Sequence, residues 1–296
     1  MLKLIADSGS TKTDWTLLDG EGMVRATCHS QGLNPYHLSD DAISQVLREV
    51  KGSLPVQEEQ LSIYFYGSGV TDAMVPNMER LLVEAFAKTD GGMSASPIEN
   101  VEAHAASDML GAARALLGNE AGIAVILGTG SNSCFYDGER MVQGIPPLGY
   151  VLGDEGSGTA IGKAFLRLIF RQPEATLLKD KFLEWSGMDY AAIIDRIYRQ
   201  PLANRFLASI STFVGETLAH QDTPLLSEMV RQVYVDFCHQ VLSFYQMEKA
   251  DAMRVGFVGS IAYYFKDYIA VALQSSGFVM GRVLKSPMEG LVHYHT

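Results

Sequence analysis

The chain has 296 residues, 47% of them hydrophobic and 19% charged, with a formal net charge of −11. That length accommodates one large or two moderate domains with ample core. The acidic balance argues against nucleic acid and anionic membranes as partners, because both need basic patches. Any phosphate bound here must be held by backbone amides, a metal ion and a few local side chains.

Cys28, Cys134 and Cys238 are odd in number and widely spaced, with no CxxC pair. That fits neither a disulfide framework nor a zinc site, and points to three buried, inert thiols in a reducing compartment. No apolar run reaches the length of a membrane span. The opening "MLKLIAD" meets Asp7 too early for a signal peptide, so a cytoplasmic protein is expected.

In chain order, a first strand ends on Asp7, the chain loops through Gly9, and a second strand resumes at Trp15. The segment "LIADSGSTKTDWTLLDGEGMV" returns later as "VILGTGSNSCFYDGERMV". Each copy has an apolar strand, a glycine loop of small residues, a second strand, a DG turn and an exit into Met-Val. Two similar hairpins about 120 residues apart imply a duplicated domain; unrelated hairpins sharing common turn chemistry are the alternative. The DG dipeptides at Asp19 and Asp137 are hairpin signals.

Between the copies, the pattern predicts a helix over 40–51, a strand "LSIYFYGSGV" ending at Gly67–Gly69, and a helix over 77–88. A loop over 90–97 and a helix "ASDMLGAARALLG" closing at Gly118 follow. After the second hairpin, "GIPPLGYVLGDEGSGTAIGKAFLRLIFR" is a glycine-rich turn entering a helix. Helices are expected over 175–186, 189–199, 204–220 and 225–249, then a strand–glycine–helix unit "RVGFVGSIAYYF" and a short strand over 279–284. The result is an α/β chain of two related halves, 1–118 and 119–296, with a helical insertion at about 160–250 of the second.

The first loop is not a P-loop, since "GSTKTD" leads into an apolar strand instead of a helix. Its turn offers backbone N–H groups and the hydroxyls of Ser8, Ser10, Thr11 and Thr13 to an anion. Asp7 would repel that anion unless a cation lay between them, which suggests Mg²⁺. A merely polar turn is the equal alternative for this loop alone. The second loop, "GTGSNS", shifts the balance towards a paired grip on one polyphosphate. Gly259 and Ser260 stand at a strand end before a helix, a usual place for a nucleotide. His104 reads as an ordinary packed histidine, and Tyr263–Tyr264–Phe265 as core. Lys12 either reaches a phosphate or is a solvated surface lysine.

These stretches resemble the first phosphate, second phosphate and adenosine motifs of the actin, hexokinase and heat-shock chaperone superfamily. Within it, "LGYVLGDEGSGTAIGKA" and "SDMLGAARAL" are most similar to the N-acetylglucosamine kinase group of the BadF/BadG/BcrA/BcrD ATPase family. The resemblance implies two ribonuclease H-like, actin-like ATPase domains around an interdomain cleft that holds ATP. It implies that Asp7 holds the Mg²⁺ of ATP, through water. Ser8, Gly9, Ser10, Thr11 and Lys12 of the first loop, Gly128, Thr129, Gly130 and Ser131 of the second, and Gly259 and Ser260 would then contact the nucleotide. Asp108 would be the catalytic base, and Asn34 and Asp154 would hydrogen-bond sugar hydroxyls. Pro147, Leu148 and Gly149 would lie along the sugar, although "PPLG" departs from the more glycine-rich turn of relatives. Leu207 is a guess for the adenine contact.

Read from the residues alone, Ser107 and Asp108 are a pair that caps a helix, and a carboxylate accepting a hydroxyl proton is the second reading. Asp154 and Glu155 could equally be acidic residues favoured at a helix start; the four glycines around them exceed what a cap needs. The implied function is ATP-dependent phosphorylation of an amino sugar, N-acetylglucosamine first, with glucosamine, glucose or a muramic-type sugar as alternatives. The competing class is an ATPase switch or activator of the BadF type without a sugar substrate. Its iron–sulfur cysteine motif has no counterpart here, and neither does the cysteine-rich motif of zinc-dependent bacterial sugar kinases. A small-molecule sugar is the expected partner, with no nucleic acid and no membrane; a homodimer is compatible with the reading.

Overall fold

The computed structural model describes residues 1–9, 11–56, 60–87, 98, 100–220, 223–245 and 253–296. The loop expected over 90–97 lies outside them. The chain forms two compact units, Met1–Gly118 with Pro287–Thr296, and Asn119–Ser286.

In the first unit, β1 (Leu2–Ser8), β2 (Lys12–Leu18) and β3 (Val24–Gln31) form an antiparallel meander. The helix α1 (Asp40–Ser53) leads to β4 (Gln60–Gly67), α2 (Val75–Ala87) to β5 (Asn100–Ser107), and α3 (Asp108–Leu117) closes the run. The sheet order is β3-β2-β1-β4-β5, with β4 and β5 parallel to β1. Leu4, Trp15, Ile63 and Phe65 fill the core with α1 and α2 residues such as Leu47 and Phe86, and removal of that apolar area from water is the main term holding the unit together.

The second unit repeats the plan. Strands β6 (Gly122–Leu127), β7 (Ser131–Tyr136) and β8 (Met141–Gly144) form the meander. The helical region follows as α4 (Gly149–Leu152), α5 (Gly158–Arg171), α6 (Thr176–Ser186), α7 (Tyr190–Tyr198), α8 (Ala203–His220) and α9 (Pro224–Gln240). Then come β9 (Arg254–Val258), α10 (Ser260–Tyr264), α11 (Lys266–Ser275) and β10 (Val279–Leu284). The order β8-β7-β6-β9-β10, with β9 and β10 parallel to β6, matches the first sheet strand for strand. The turns match as well: Asp19 Oδ1 accepts the N–H groups of Glu21 and Met23, and Asp137 Oδ1 those of Glu139 and Arg140. Two α/β units of one topology, the actin-like ATPase plan, are present, with the helical insertion in the second.

Several expectations are corrected. The last helix, α12 (Met288–His295), was unforeseen, and it joins the first unit instead of the half that precedes it. Its partner is α3: a Cβ on Gly290 would lie 2.3 Å from the Ala115 carbonyl oxygen, so the two helices touch backbone to backbone. The helix expected to run to Lys249 stops at Gln240, because the chain turns to bury Leu242 and Tyr245, whose phenol meets Ser133 Oγ at 2.9 Å. Tyr263 and Tyr264 are 42% and 64% exposed while Phe265, at the junction of α10 and α11, is buried; consecutive residues of a helix point in different directions, so the run does not share one face. His104 is exposed, with its ring stacked on Tyr64. Cys134 and Cys238 are buried, burial pushing the Cys134 thiol up to about 12, but Cys28 is only half-buried. Strand β2 begins at Lys12, ahead of Trp15. Among the described residues no helix is long and apolar enough to cross a membrane.

Candidate active site

The β1–β2 turn is closed by Gly9 N–H donating to the Lys12 carbonyl at 3.0 Å. Ser10 lies outside the described residues. Ser8 and Thr13 turn inward: their hydroxyls meet at 2.8 Å, Ser8 Oγ accepts Leu33 N–H at 2.9 Å, and Thr13 donates to the Gln31 carbonyl. Their hydroxyls therefore fasten the hairpin to the β3 exit and are not offered to an anion. Thr11 and Lys12 stay exposed, and Lys12 Nζ pairs with Asp14 at 2.9 Å.

Asp7 on β1 stands opposite Asp14 on β2 and beside Tyr66 on β4. Burial, then the charges of Asp14 and Asp108, push the Asp7 carboxyl up to about 7, against a lowering by Lys12. Three carboxylates thus share one neighbourhood. Asp14 in this role was not foreseen; its signal was the i and i+2 spacing of Lys12 and Asp14 on a strand.

Asp108 opens α3, and Ser107 alone makes the side-chain cap, its Oγ accepting Leu110 N–H at 3.2 Å. The Asp108 carboxyl is raised by burial, an effect opposed by the N–H groups of Met109 and Asp108. Asn34 Oδ1 accepts Tyr36 N–H, and its amide lies where a Cβ on Gly69 would stand, 2.4 Å from Oδ1. Gly69 also has φ +81°, so both conformation and space select glycine there.

In the second unit the turn Gly128–Gly130 is closed by Gly128 N–H on the Gly130 carbonyl at 2.9 Å. The start of α5 grips its other carbonyls: Gly158 N–H donates to Gly128 O, and the Thr159 N–H and hydroxyl both donate to Thr129 O. Asp154, with φ +59°, places Oδ1 3.2 Å from Ser131 N, so that amide is already engaged. A Cβ on Gly130 would lie 2.8 Å from the same oxygen. Burial raises the Asp154 carboxyl; Ser131 N–H and Lys163 lower it. Lys163 Nζ donates to the Tyr150 carbonyl at 2.7 Å, tying down the segment that carries Pro147, Leu148 and Gly149, all exposed.

Gly259, with φ +123°, approaches Leu127 so closely that a Cβ would lie 2.2 Å from its carbonyl oxygen. This joins the end of β9 to the strand leading into the Gly128 turn. Ser260, Ile261 and Tyr264 face Ser211, Thr212, Gly215 and Glu216 of α8 across a cavity of about 540 Å³. Leu207 is not part of it: it is buried, its carbonyl against Gly162 of α5. The sequence held a signal for the real lining, since Ser211, Gly215 and Ala219 recur every four residues, as do Thr212, Glu216 and His220.

No protein-family model matches the chain. A crystal structure of a candidate N-acetylglucosamine kinase from Porphyromonas gingivalis is 35% identical, with a TM-score of 0.80, over 99% of this chain and 98% of that one. This chain belongs to the N-acetylglucosamine kinase family. A family likeness in sequence also reaches the N-acetylmuramic acid/N-acetylglucosamine kinase of Clostridium acetobutylicum, 27% identical over 157 residues, 50% of this chain and 51% of that protein. The chain therefore matches about half the length of that curated relative. At the level of fold alone, a ROK family glucokinase from Streptomyces griseus, solved with glucose and AMPPNP, is 14% identical with a TM-score of 0.57 and 99% and 98% coverage.

Proposed function

We propose that this chain transfers the γ-phosphoryl group of Mg·ATP to a hydroxyl of an amino sugar, N-acetylglucosamine. The observation that carries this reading is the likeness, at 35% identity over nearly the whole chain, to a candidate kinase for that sugar. The adenosine occupies the α8–α10 cavity beside Ser260, where its base and ribose meet Thr212 and Glu216. In the first unit the β1–β2 turn offers phosphate the exposed Thr11 and Lys12, and in the second the Gly128–Gly130 turn offers Thr129.

A divalent cation fits the first unit. Asp7 and Asp14 offer hard carboxylate oxygens in a half-buried, negatively charged setting. Among the described residues no group of three or more His, Cys, Asp or Glu side chains could hold a metal by itself. That suits Mg²⁺, which is commonly held by one or two carboxylates with substrate phosphates and water. When bound, the ion supplies charge stabilisation to the transferring phosphoryl group. Asp108 takes the proton of the attacking sugar hydroxyl; its carboxyl, raised by burial, is a better base than a solvated one. Asn34 of the first unit, and Asp154 with the 147–149 turn of the second, are each a candidate sugar contact within its own unit. A supply of ATP and the absence of paired cysteines fit a cytoplasmic setting.

The test is ADP release in a coupled assay over N-acetylglucosamine, glucosamine, glucose and N-acetylmuramic acid. N-acetylglucosamine is expected to raise the rate at least tenfold over the sugar-free blank. Equal hydrolysis with every sugar and with none would favour an ATPase switch. A preference for N-acetylmuramic acid would follow the Clostridium relative.

A further inference from the structure

Asp108 needs a fixed position, and what fixes α3 lies at the far end of the chain. Tyr66, buried on β4, stands in register beside Asp7. Its ring fills the place of a missing side chain on α3: a Cβ on Gly111 would meet Tyr66 Cβ and Cγ at 2.8 Å. Asp108, Gly111 and Ala115 are spaced three and four apart on one helical face. At Gly111 that face lies on Tyr66, and at Ala115 it lies on Gly290 of α12.

A chain of hydrogen bonds locks this contact. Arg114 Nη1 donates to the Tyr66 phenol oxygen at 2.9 Å, which leaves the phenol proton to be donated to His295 Nε2, also 2.9 Å away. His295 is held neutral to accept it, because burial and then the charges of Arg114 and Lys3 depress its protonation to about 4. The imidazole stacks on Tyr64 with ring centres 3.9 Å apart, and Lys3 Nζ donates to the His295 carbonyl. The Arg114 guanidinium also lies 5.2 Å from the Tyr294 ring centre. Tyr66 and His295 are buried and Arg114 is half-buried, a setting where a hydrogen bond is strong and a lost partner costly.

We propose that Tyr66 and His295 are positioning residues of the phosphoryl transfer, and that α12, through the Arg114–Tyr66–His295 chain, sets the register of α3 and so the place of Asp108 beside Asp7. This rests on the reading of Asp108 as the base. The phenol hydroxyl is one atom of the side chain and the ring supplies the packing on Gly111, so removing the hydroxyl chiefly tests the positioning role.

Tyr66→Phe keeps the ring on Gly111 and deletes the link. It is expected to lower kcat at least tenfold, with KM for ATP and for sugar within twofold and the melting temperature within a few degrees. In the nucleotide-free protein, amides 108–111 are expected to exchange with solvent at least tenfold faster, while those of α1 keep their rates. His295→Leu should reproduce the loss, and His295→Gln, which offers an acceptor near the same place, should restore much of it. Unchanged turnover and unchanged exchange in Tyr66→Phe would overturn the proposal. So would faster exchange spread evenly over the unit, which marks general destabilisation. Should the parent protein show no sugar-stimulated turnover, the kinase reading fails separately and the exchange data still decide whether the chain orders α3.

Discussion

Asp7 and Asp14 stand opposite each other across the β1–β2 ladder, so two carboxylates share one face of the first sheet. Like charges in such a pair destabilise a sheet. Lys12 and His29 both reach Asp14, at 2.9 and 2.6 Å, whereas at Asp7 the charge of Lys12 only partly offsets burial and the two neighbouring carboxylates.

That arrangement gives a pH signature. Asp7 holds its proton up to about 7 in the folded chain, against 3.8 for an ordinary aspartate. Between those values the folded state binds more protons than the unfolded one, so metal-free stability should fall as pH rises from about 4 to about 7. Asp7→Asn removes the penalty: at pH 8 without metal it should be more stable by about 1–2 kcal/mol, a figure reduced for screening of a half-buried group, and at pH 4 unchanged. Mg²⁺ with nucleotide should stabilise the parent and not the variant, read by thermal melts over pH.

Ser107 and Asp108 should separate by substitution. Since Ser107 supplies the cap, Ser107→Ala should cost about 1 kcal/mol of stability in denaturant titration. Asp108→Asn should leave stability and nucleotide affinity near normal while lowering turnover by roughly a thousandfold or more. A folded Asp108→Asn with intact turnover would remove it from the chemistry.

Asp154 offers a contrast between two variants. Asparagine tolerates the left-handed backbone and can still accept Ser131 N–H, so Asp154→Asn should melt like the parent yet show a KM for sugar raised about tenfold. Asp154→Ala loses the acceptor and suffers the positive φ, so it should also lose about 1–3 kcal/mol.

The α8 cavity can be filled from one position. A Cβ on Gly215 would meet only Phe265 Cζ, at 3.6 Å, an ordinary contact. Gly215→Ala should therefore stabilise the helix by up to about 1 kcal/mol. Gly215→Phe should raise the KM for ATP at least tenfold with little change in that for sugar, measured in the coupled assay.

Local pattern made the duplicated hairpins legible, because a glycine turn between two apolar strands and a DG turn after them are set by backbone chemistry within a few residues. The helices of the insertion were legible for the same reason, to within a few residues at α6 and α7. Strand β5 was not. "NVEAHAAS" has little strand propensity of its own, and it is a strand because its backbone pairs with β4 in parallel. The α8 lining of the cavity was present as two four-residue stripes, but nothing local distinguished a ligand-facing stripe from a helix-packing one.

The order of residues by itself determined two copies of one supersecondary unit and the candidate carboxylates at their edges, since periodicity and turn residues act over short range. Only the tertiary structure decided that Ser8 and Thr13 face inward, that Ser131 N–H belongs to Asp154, and that the final helix returns to the first unit. Those outcomes depend on which buried polar groups find partners from distant parts of the chain, and on where two backbones come close enough to exclude a Cβ. Neither is written in any single stretch of sequence.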